Sequence, residues 1–473
     1  MQTGADSILL QLLDGLQMME HEMLLFAAFW FIVGAIDEFA VDLAYLWLRA
    51  TGKLKAATVA FDKEVRPLSR RTAVFVPAWQ ESRVIRHMLE HTLTVWPHDS
   101  LSIYVGCYRN DSATIESAMK GAGGDTRVRL VIVDKDGPTT KADCLNRLYA
   151  AMADDEQRYD MQYESVIFHD AEDMVHPAAL SLIDAGLAES DFVQLPVRPE
   201  PQPASRWISG HYSDEFVEAH GKTMAVRDAL GAAIPAAGVG CGFARNKLGE
   251  LAVERARDGA VGPFAEECLT EDYELGLTFS QSGSNGRFLR VRDEFGELVA
   301  TRSFFPARLR DAVRQKTRWI HGIAFQGWDR LGWSGGPVDL WMALRDRRGP
   351  LTALVLGVAY ALVVVEAILA VARLAGWQDT YVVSELLRSM LVISFAAFAW
   401  RALWRFAFTA SEYGLAEGVL AVLRIPVANI IAIMAGRRAF MSYIATLRGA
   451  EPLWDKTAHE SHPAVDLRPV TAR

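Results

Sequence analysis

The sequence predicts an α/β domain with a mixed, mainly parallel sheet, inserted between transmembrane helices. Three observations predict it. From Thr72 to about Gly349, short apolar runs alternate with helix-like segments, and repeated β-α-β units make a parallel sheet with right-handed crossovers. Long apolar stretches lie on either side of that region, at Met23–Trp47 and from Pro350 onward, each near the ~20 residues a helical span requires. Within it, Ser165-Val166-Ile167-Phe168 runs into His169-Asp170-Ala171-Glu172-Asp173. A buried strand ending in three carboxylates sets them where open α/β sheets hold their ligands.

Residues 1–22 carry no Lys or Arg; they lack the cationic region of a cleaved signal peptide and read as an extracytoplasmic segment. The first span, residues 23–48, contains Asp37, Glu38 and Asp42. Carboxylates at membrane depth face a partner or a cavity, so these three either line a path through the membrane or pair with Arg388 or Arg424. Arg49, Lys53, Lys55, Lys63, Arg66, Arg70 and Arg71 follow the span, which puts everything after Trp47 on the cytoplasmic side.

The region 49–349 then reads as one cytoplasmic domain with interfacial helices. Its strands are expected at Thr72–Pro77, Leu101–Cys107, Val128–Val133 and Ser165–Phe168. Helices are expected from near Glu81, over Thr114–Gly121 and over Lys141–Met152. Residues 350–412 hold a second and third span, with arginines at both cytoplasmic ends (Arg345, Arg347, Arg348; Arg401, Arg405). The segment 413–448 contains Arg424, Pro426 and Asn429 and has cations on both flanks, so it reads as an interfacial or re-entrant helix pair. Residues 449–473 are a cytoplasmic tail. Three spans are expected in all.

Composition narrows the function. A net charge of −9 argues against a general nucleic-acid binder. The four cysteines, Cys107, Cys144, Cys241 and Cys268, form no C-x-x-C pair and read as reduced thiols. Three carboxylates in four residues either stand apart in solvent, as a helix-capping turn, or are held together by a cation. Oxygen ligands of this kind suit Mg²⁺ or Mn²⁺ bridging to phosphates. Read alone, the cluster leaves both possibilities open.

Three further motifs decide between them. Thr270-Glu271-Asp272 lies downstream, Gln315-Lys-Thr-Arg318-Trp319 further on, and the glycine-rich stretch Gly238-Val-Gly240-Cys-Gly242-Phe-Ala-Arg245 comes between the cluster and both. With Pro77-Ala-Trp79-Gln-Glu81 upstream, the order P-x-x-x-E, acidic cluster, T-E-D, Q-x-x-R-W resembles the membrane-bound family 2 glycosyltransferases, which include the cellulose and hyaluronan synthases. Any one triplet occurs by chance; four in order between membrane helices are specific. Thr301-Arg-Ser-Phe-Phe-Pro306 and the tail Leu453-Trp-Asp-Lys-Thr-Ala-His459 sharpen the resemblance toward the bacteriophage-adsorption (protein B) type of Gram-negative bacteria.

The resemblance implies a GT-A type nucleotide-sugar-binding domain and a set of roles. Asp170 and Glu172 match the family's metal-binding D-x-D, with Glu172 or the adjacent Asp173 as the second ligand of Mg²⁺ or Mn²⁺. Asp272 matches the base of an inverting transfer, and Glu271 beside it is a supporting acid or a helix cap. Gln315, Arg318 and Trp319 belong to the substrate site, Arg318 as a bidentate clamp for diphosphate and Trp319 as a flat face for the acceptor sugar. Pro77, Trp79 and Glu81 sit where the family contacts uracil, Lys141 near the nucleotide, and Asp111 replaces a missing D-D-G-S as a ribose or uracil contact. Gly240 and Gly242 belong to the acceptor-site loop, where absent side chains admit a sugar; Cys241 between them packs.

The implied activity is metal-dependent transfer from a UDP-sugar to a growing glycan, for exopolysaccharide synthesis and secretion, at the bacterial inner membrane. The lipid bilayer and a periplasmic or outer-membrane export component are the expected partners, and no nucleic acid. Two rival readings are a transferase that adds a single sugar to a lipid carrier and a non-catalytic phage-receptor or secretion component.

Overall fold

The computed structural model describes residues 4–54, 57–59, 68–202, 205–377, 383–450 and 459–466. Lys55, Lys63, Arg66 and the stretch Leu453–Ala458 of the tail motif lie outside them.

Seven strands make the central sheet: β1 (Thr72–Ala78), β2 (Leu101–Tyr108), β3 (Val128–Val133), β4 (Ser165–Phe168), β5 (Phe192–Gln194), β6 (Cys241–Ala244) and β7 (Gly286–Phe288). Their order is β3-β2-β1-β4-β6-β5-β7. All neighbours are parallel except β6, which runs antiparallel to both β4 and β5. The four strands expected from sequence are β1 to β4. β1 is apolar and wholly buried, as a central strand covered on both faces must be.

Because side chains alternate across a strand, the two faces collect different partners. Val74, Val76, Ile103 and Val105 join Leu180 and Ile183 on one side. Ala73, Phe75, Tyr104, Phe168 and Phe243 join Leu145, Leu148 and Leu248 on the other. The helices Ile85–Val95, Ser112–Ala122 and Lys141–Arg158 correspond to those expected from the sequence. Successive crossovers bring the C-terminal ends of β1 and β4 side by side, in the register Thr72↔Ser165.

Four helices are long and apolar enough to cross a membrane, by length and composition: Ile8–Ala50, Gly349–Leu374, Glu385–Tyr413 and Ile425–Leu447. The first belongs to one unbroken helix, Gly4–Ala50, of 47 residues, roughly 70 Å at 1.5 Å per residue; it runs through the segment expected to be extracytoplasmic. In the stretch expected to be an interfacial pair, a nine-residue helix, Leu415–Leu423, precedes Ile425–Leu447. The polar residues that mark this stretch have partners. Asn429 donates to the Tyr360 hydroxyl at 3.4 Å, and Arg424 precedes the helix rather than entering it.

The charges on the first helix differ from expectation. Asp37, Glu38 and Asp42 pair with neither Arg388 nor Arg424. Asp37 accepts from Trp341 Nε1 at 2.6 Å and meets Arg345 and Arg348. Glu38 meets Arg348, Arg345 at 3.1 Å and Arg401 at 2.9 Å. Asp42 meets the fully buried Lys222, which also holds Glu218 at 2.8 Å. These carboxylates are neutralised by cations of the domain and of other helices. They form a belt that ties the first helix to the domain, to the helix Pro337–Arg347 and to Glu385–Tyr413. Arg388 instead faces Glu385 at 4.0 Å.

Arg424 makes a second tie. Buried to 1% exposure, it grips Asp214 through two bonds of 2.6 and 2.8 Å and Glu417 at 2.7 Å. Truncating one member of a buried ion pair strands the other charge and costs about 3–5 kcal/mol. Arg424→Ala is therefore expected to lower the melting temperature of the detergent-solubilised protein sharply, and Arg424→Met with Asp214→Leu to recover most of the loss.

Candidate active site

A cleft of about 330 Å³ opens at the C-terminal ends of β1 and β4. Of the residues expected from sequence, Pro77, Trp79, Glu81, Lys141, Asp170, Glu172, Asp173, Glu271, Asp272, Gln315, Arg318 and Trp319 all line it. Five separate segments supply them, and local chemistry sets each in place.

The acidic turn is built around Asp173. Its buried carboxylate accepts from the Asp170 backbone N–H at 3.0 Å and faces His169 Nδ1 at 2.9 Å. Asp173 thus closes the turn. Asp170 meets Lys141 Nζ at 2.7 Å, from the first turn of a helix capped by Thr140. Glu172 meets His459 Nε2 at 3.1 Å, and the other ring nitrogen of His459 meets Glu81 at the same distance.

Glu271 and Asp272 open the helix Glu271–Gln281, where the N-terminal end of the dipole favours anions. The Tyr273 N–H donates to Asp272 at 2.8 Å. Across the cleft, Trp319 closes the helix Leu309–Trp319. It stands edge-on to Tyr212, with ring centroids 6.0 Å apart, and beside Phe216 at 6.1 Å; with Phe305 these rings form an aromatic floor. The Gln315 side-chain oxygen is buried with no partner among the described residues.

Negative charge dominates the cleft. Burial, with repulsion from Asp170, Glu81 and Asp173, raises Glu172 to about 8 despite His459. Burial and the adjacent Asp272 raise Glu271 to about 7 against the pull of Lys141. Burial likewise raises Asp272, again opposed by Lys141. Lys141, though buried, is held above its ordinary value by Asp170, Glu271 and Asp272 together. One ammonium therefore faces carboxylates from two segments far apart in sequence, Arg318 adds a second positive charge near Glu271 and Asp272, and among the described residues of the cleft the carboxylates outnumber these two cations. Glu81, Glu172 and His459 hold ligand atoms within 4.8 Å of one another. Oxygen-rich donors carrying excess negative charge fit a hard divalent cation.

Three residues expected in the site are used elsewhere. Asp111 caps the helix Ser112–Ala122 through the Thr114 N–H at 3.3 Å and accepts from Gln80 N at 2.5 Å; it holds the turn after β1 and does not line the cleft. Gly242 lies inside β6, where an added Cβ would meet Ile183 at 2.3 Å, so its role is packing between strand and helix. Gly240, at φ +59, would strike Thr301 Oγ1 at 2.4 Å. Cys241 is fully buried, and its thiol is pushed up by burial, consistent with packing. The glycine that approaches the acids is Gly238, whose added Cβ would lie 2.3 Å from Asp272 Oδ2. His459 closes the tail motif, yet the motif gives it no place in the site; among the lining residues that sequence reasoning did not assign there, it is the one that meets Glu81 and Glu172.

A sheet of this order, with an acidic turn at the end of β4 and a T-E-D helix facing it, defines a GT-A-like glycosyltransferase fold. A family model described as "Glycosyltransferase like family 2" matches residues 69–322, and the chain belongs to that family. It is 32% identical over 469 residues to bacteriophage adsorption protein B of Escherichia coli strain K12 and, equally, to bacteriophage N4 adsorption protein B of E. coli O157:H7. The alignments cover 93% of this chain and 62% of each relative, so the chain spans less than two thirds of their length. Among solved structures, a mannosyltransferase from Pyrobaculum calidifontis in complex with GDP-mannose and Mn²⁺ is 18% identical, with 85% of this chain and 99% of that one covered at a TM-score of 0.48. Glucosyl-3-phosphoglycerate synthase of Mycobacterium tuberculosis with Mn²⁺ and UDP-glucose is 17% identical, with coverage of 51% and 74% and a TM-score of 0.30.

The geometry around Asp272 predicts two outcomes. Gly238→Ala places a methyl group against Asp272 on a backbone at φ +75; glycosyl transfer should fall steeply, and the melting temperature should fall as well because a side chain at that φ is strained. Glu271 binds a proton in the folded protein over a pH range, from 4.5 up to about 7, where the unfolded chain has lost it. Its contribution is thus favourable at low pH and is lost as pH rises. Glu271→Gln should melt higher than the parent above pH 7, with the advantage disappearing in acid, as measured by thermal unfolding at both pH values.

Proposed function

We propose that the protein transfers a sugar from a UDP-sugar to a growing glycan with inversion at the anomeric carbon, Asp272 acting as general base. The observation that carries this reading is the ion pair of Lys141 with Asp170 in a cleft that Glu271 and Asp272 also line, which brings the acidic turn and the T-E-D helix around one cation. Pro77 and Trp79, at the end of β1, would bound the uracil, with Trp79 standing edge-on to Tyr108 at 5.2 Å. Lys141 and Arg318 would hold diphosphate oxygens, Arg318 through its planar fork. Asp170 and Glu172 would hold Mg²⁺ or Mn²⁺, which supplies charge neutralisation of the leaving diphosphate. Asp173 would act by keeping the turn closed.

The acceptor sugar would stack on Trp319 and the aromatic floor, its hydroxyl directed at Asp272. Gln315, with its buried oxygen unsatisfied, would take a hydrogen bond from substrate, and Glu271 would support the base. Burial raises Asp272, so its proton affinity is closer to that of the hydroxyl it must accept from. The four apolar helices support placement in a membrane. The arginines of the belt and those after the first span support a cytoplasmic domain at the inner membrane. With the resemblance to the phage adsorption proteins, these features favour exopolysaccharide synthesis and hand-over to an export partner.

Purified protein should release UDP from at least one member of a panel of UDP-sugars, with release dependent on Mg²⁺ or Mn²⁺. Asp272→Asn should reduce the rate about 10²–10⁴-fold, the usual worth of a general base; unchanged release would remove catalysis from this site. Since the base works ionised and burial raises Asp272, the rate should fall with decreasing pH from a point above the ordinary aspartate value. Products limited to one added sugar would replace polymer growth with transfer to a lipid carrier.

A further inference from the structure

The tail returns to the cleft as a strap. His459 places one ring nitrogen 3.1 Å from Glu81 and the other 3.1 Å from Glu172. His462, buried to 1% exposure, meets the Asp173 backbone carbonyl through Nε2 at 3.1 Å. Its ring lies 6.4 Å from that of His87, on the helix Ile85–Val95, against which the short helix Pro463–Asp466 packs. Glu460 reaches Arg308 at 3.4 Å in an exposed pair, a contact of little energetic weight. Val465 stays half exposed. The strap is thus anchored mainly by the buried His462 and Pro463, and two of its polar contacts, from His459 and His462, fall on the turn that carries Asp170 and Glu172.

Resting on the donor-site reading, we propose that the segment His459–Asp466 is a displaceable strap that competes with the metal–diphosphate for Glu172. In the docked state, His459 engages Glu172 Oε1 and bridges it to Glu81. A divalent cation drawing Glu172 toward Asp170 must break that contact. His462 is fastened to the backbone of the same turn, so a change at Glu172 reaches the anchor directly. Metal–nucleotide binding and strap docking are then negatively linked. By reciprocity, whatever weakens docking strengthens metal binding by the same factor.

A tail that merely contributes a ligand would give the opposite sign. Mn²⁺ binding to the full chain in detergent, with UDP present, is measured by the electron paramagnetic resonance signal of free Mn²⁺. His459→Ala and His462→Ala should each bind Mn²⁺ more tightly, by about 5-fold or more, the lower end of typical coupling between sites. In the parent, adding Mn²⁺ and UDP should speed amide exchange at 459–466. Weaker Mn²⁺ binding in His459→Ala would make His459 a ligand and overturn the proposal, as would unchanged affinity in both variants. Asp170→Asn separates the two claims. If it abolishes Mn²⁺ binding while the histidine variants fail to tighten it, the donor site stands and the strap falls. If it leaves binding untouched, or the parent binds no Mn²⁺ with UDP, the donor-site reading falls and the strap with it.

Discussion

The belt of buried and half-buried charge between the first helix and the domain is the contact on which the rest of the architecture depends. Four carboxylates (Asp37, Glu38, Asp42, Glu218) meet four cations (Lys222, Arg345, Arg348, Arg401). Removing so many charges from water is affordable only if each finds partners. The indoles of Trp341 and Trp400 donate into the belt at 2.6 and 2.8 Å, and Lys222 lies 5.1 Å from the Trp404 ring, so the remaining hydrogen-bonding capacity is largely used. An interface assembled this way has little freedom to slide, because any displacement leaves charges unmatched in a poorly solvated place.

The cleft applies the opposite rule. There the carboxylates outnumber the nearby cations, and burial and mutual repulsion push several of them above their ordinary range. A protein that balances its charges so fully at the belt leaves them unbalanced here. Such sites are where perturbed titration marks function. The cost is carried by the sheet beneath. β1 and β4 are wholly buried, and their register brings the turns at their ends together irrespective of how the turns repel.

Much of this was legible in the chain. The four leading strands are apolar runs bounded by polar residues, and the motifs at their ends converge because parallel strands end on the same side. The partners of the membrane carboxylates were not legible. Asp37 and Glu38 meet Arg345 and Arg348 across some 300 positions, and nothing local in either segment encodes that pairing. Asp111 stands in for a motif the chain lacks and Gly242 belongs to the glycine-rich stretch, yet their surroundings turn them to capping and packing. In a one-dimensional reading a carboxylate that caps a helix looks the same as one that binds ribose. The place of His459 in the cleft was hidden for the converse reason, since its neighbours Glu81 and Glu172 are supplied by the fold alone.

The first helix has a consequence of its own. It runs unbroken from Gly4 to Ala50, with the belt residues near its C-terminal end, and each residue of an α-helix advances the face by about 100°. The segment preceding Asp37 therefore acts as a threaded shaft. Adding or deleting a single residue there would turn whatever lies before the change by more than a quarter revolution relative to the anchored domain. Only changes close to whole turns preserve the alignment, so the spacing of this helix is constrained more tightly than its composition.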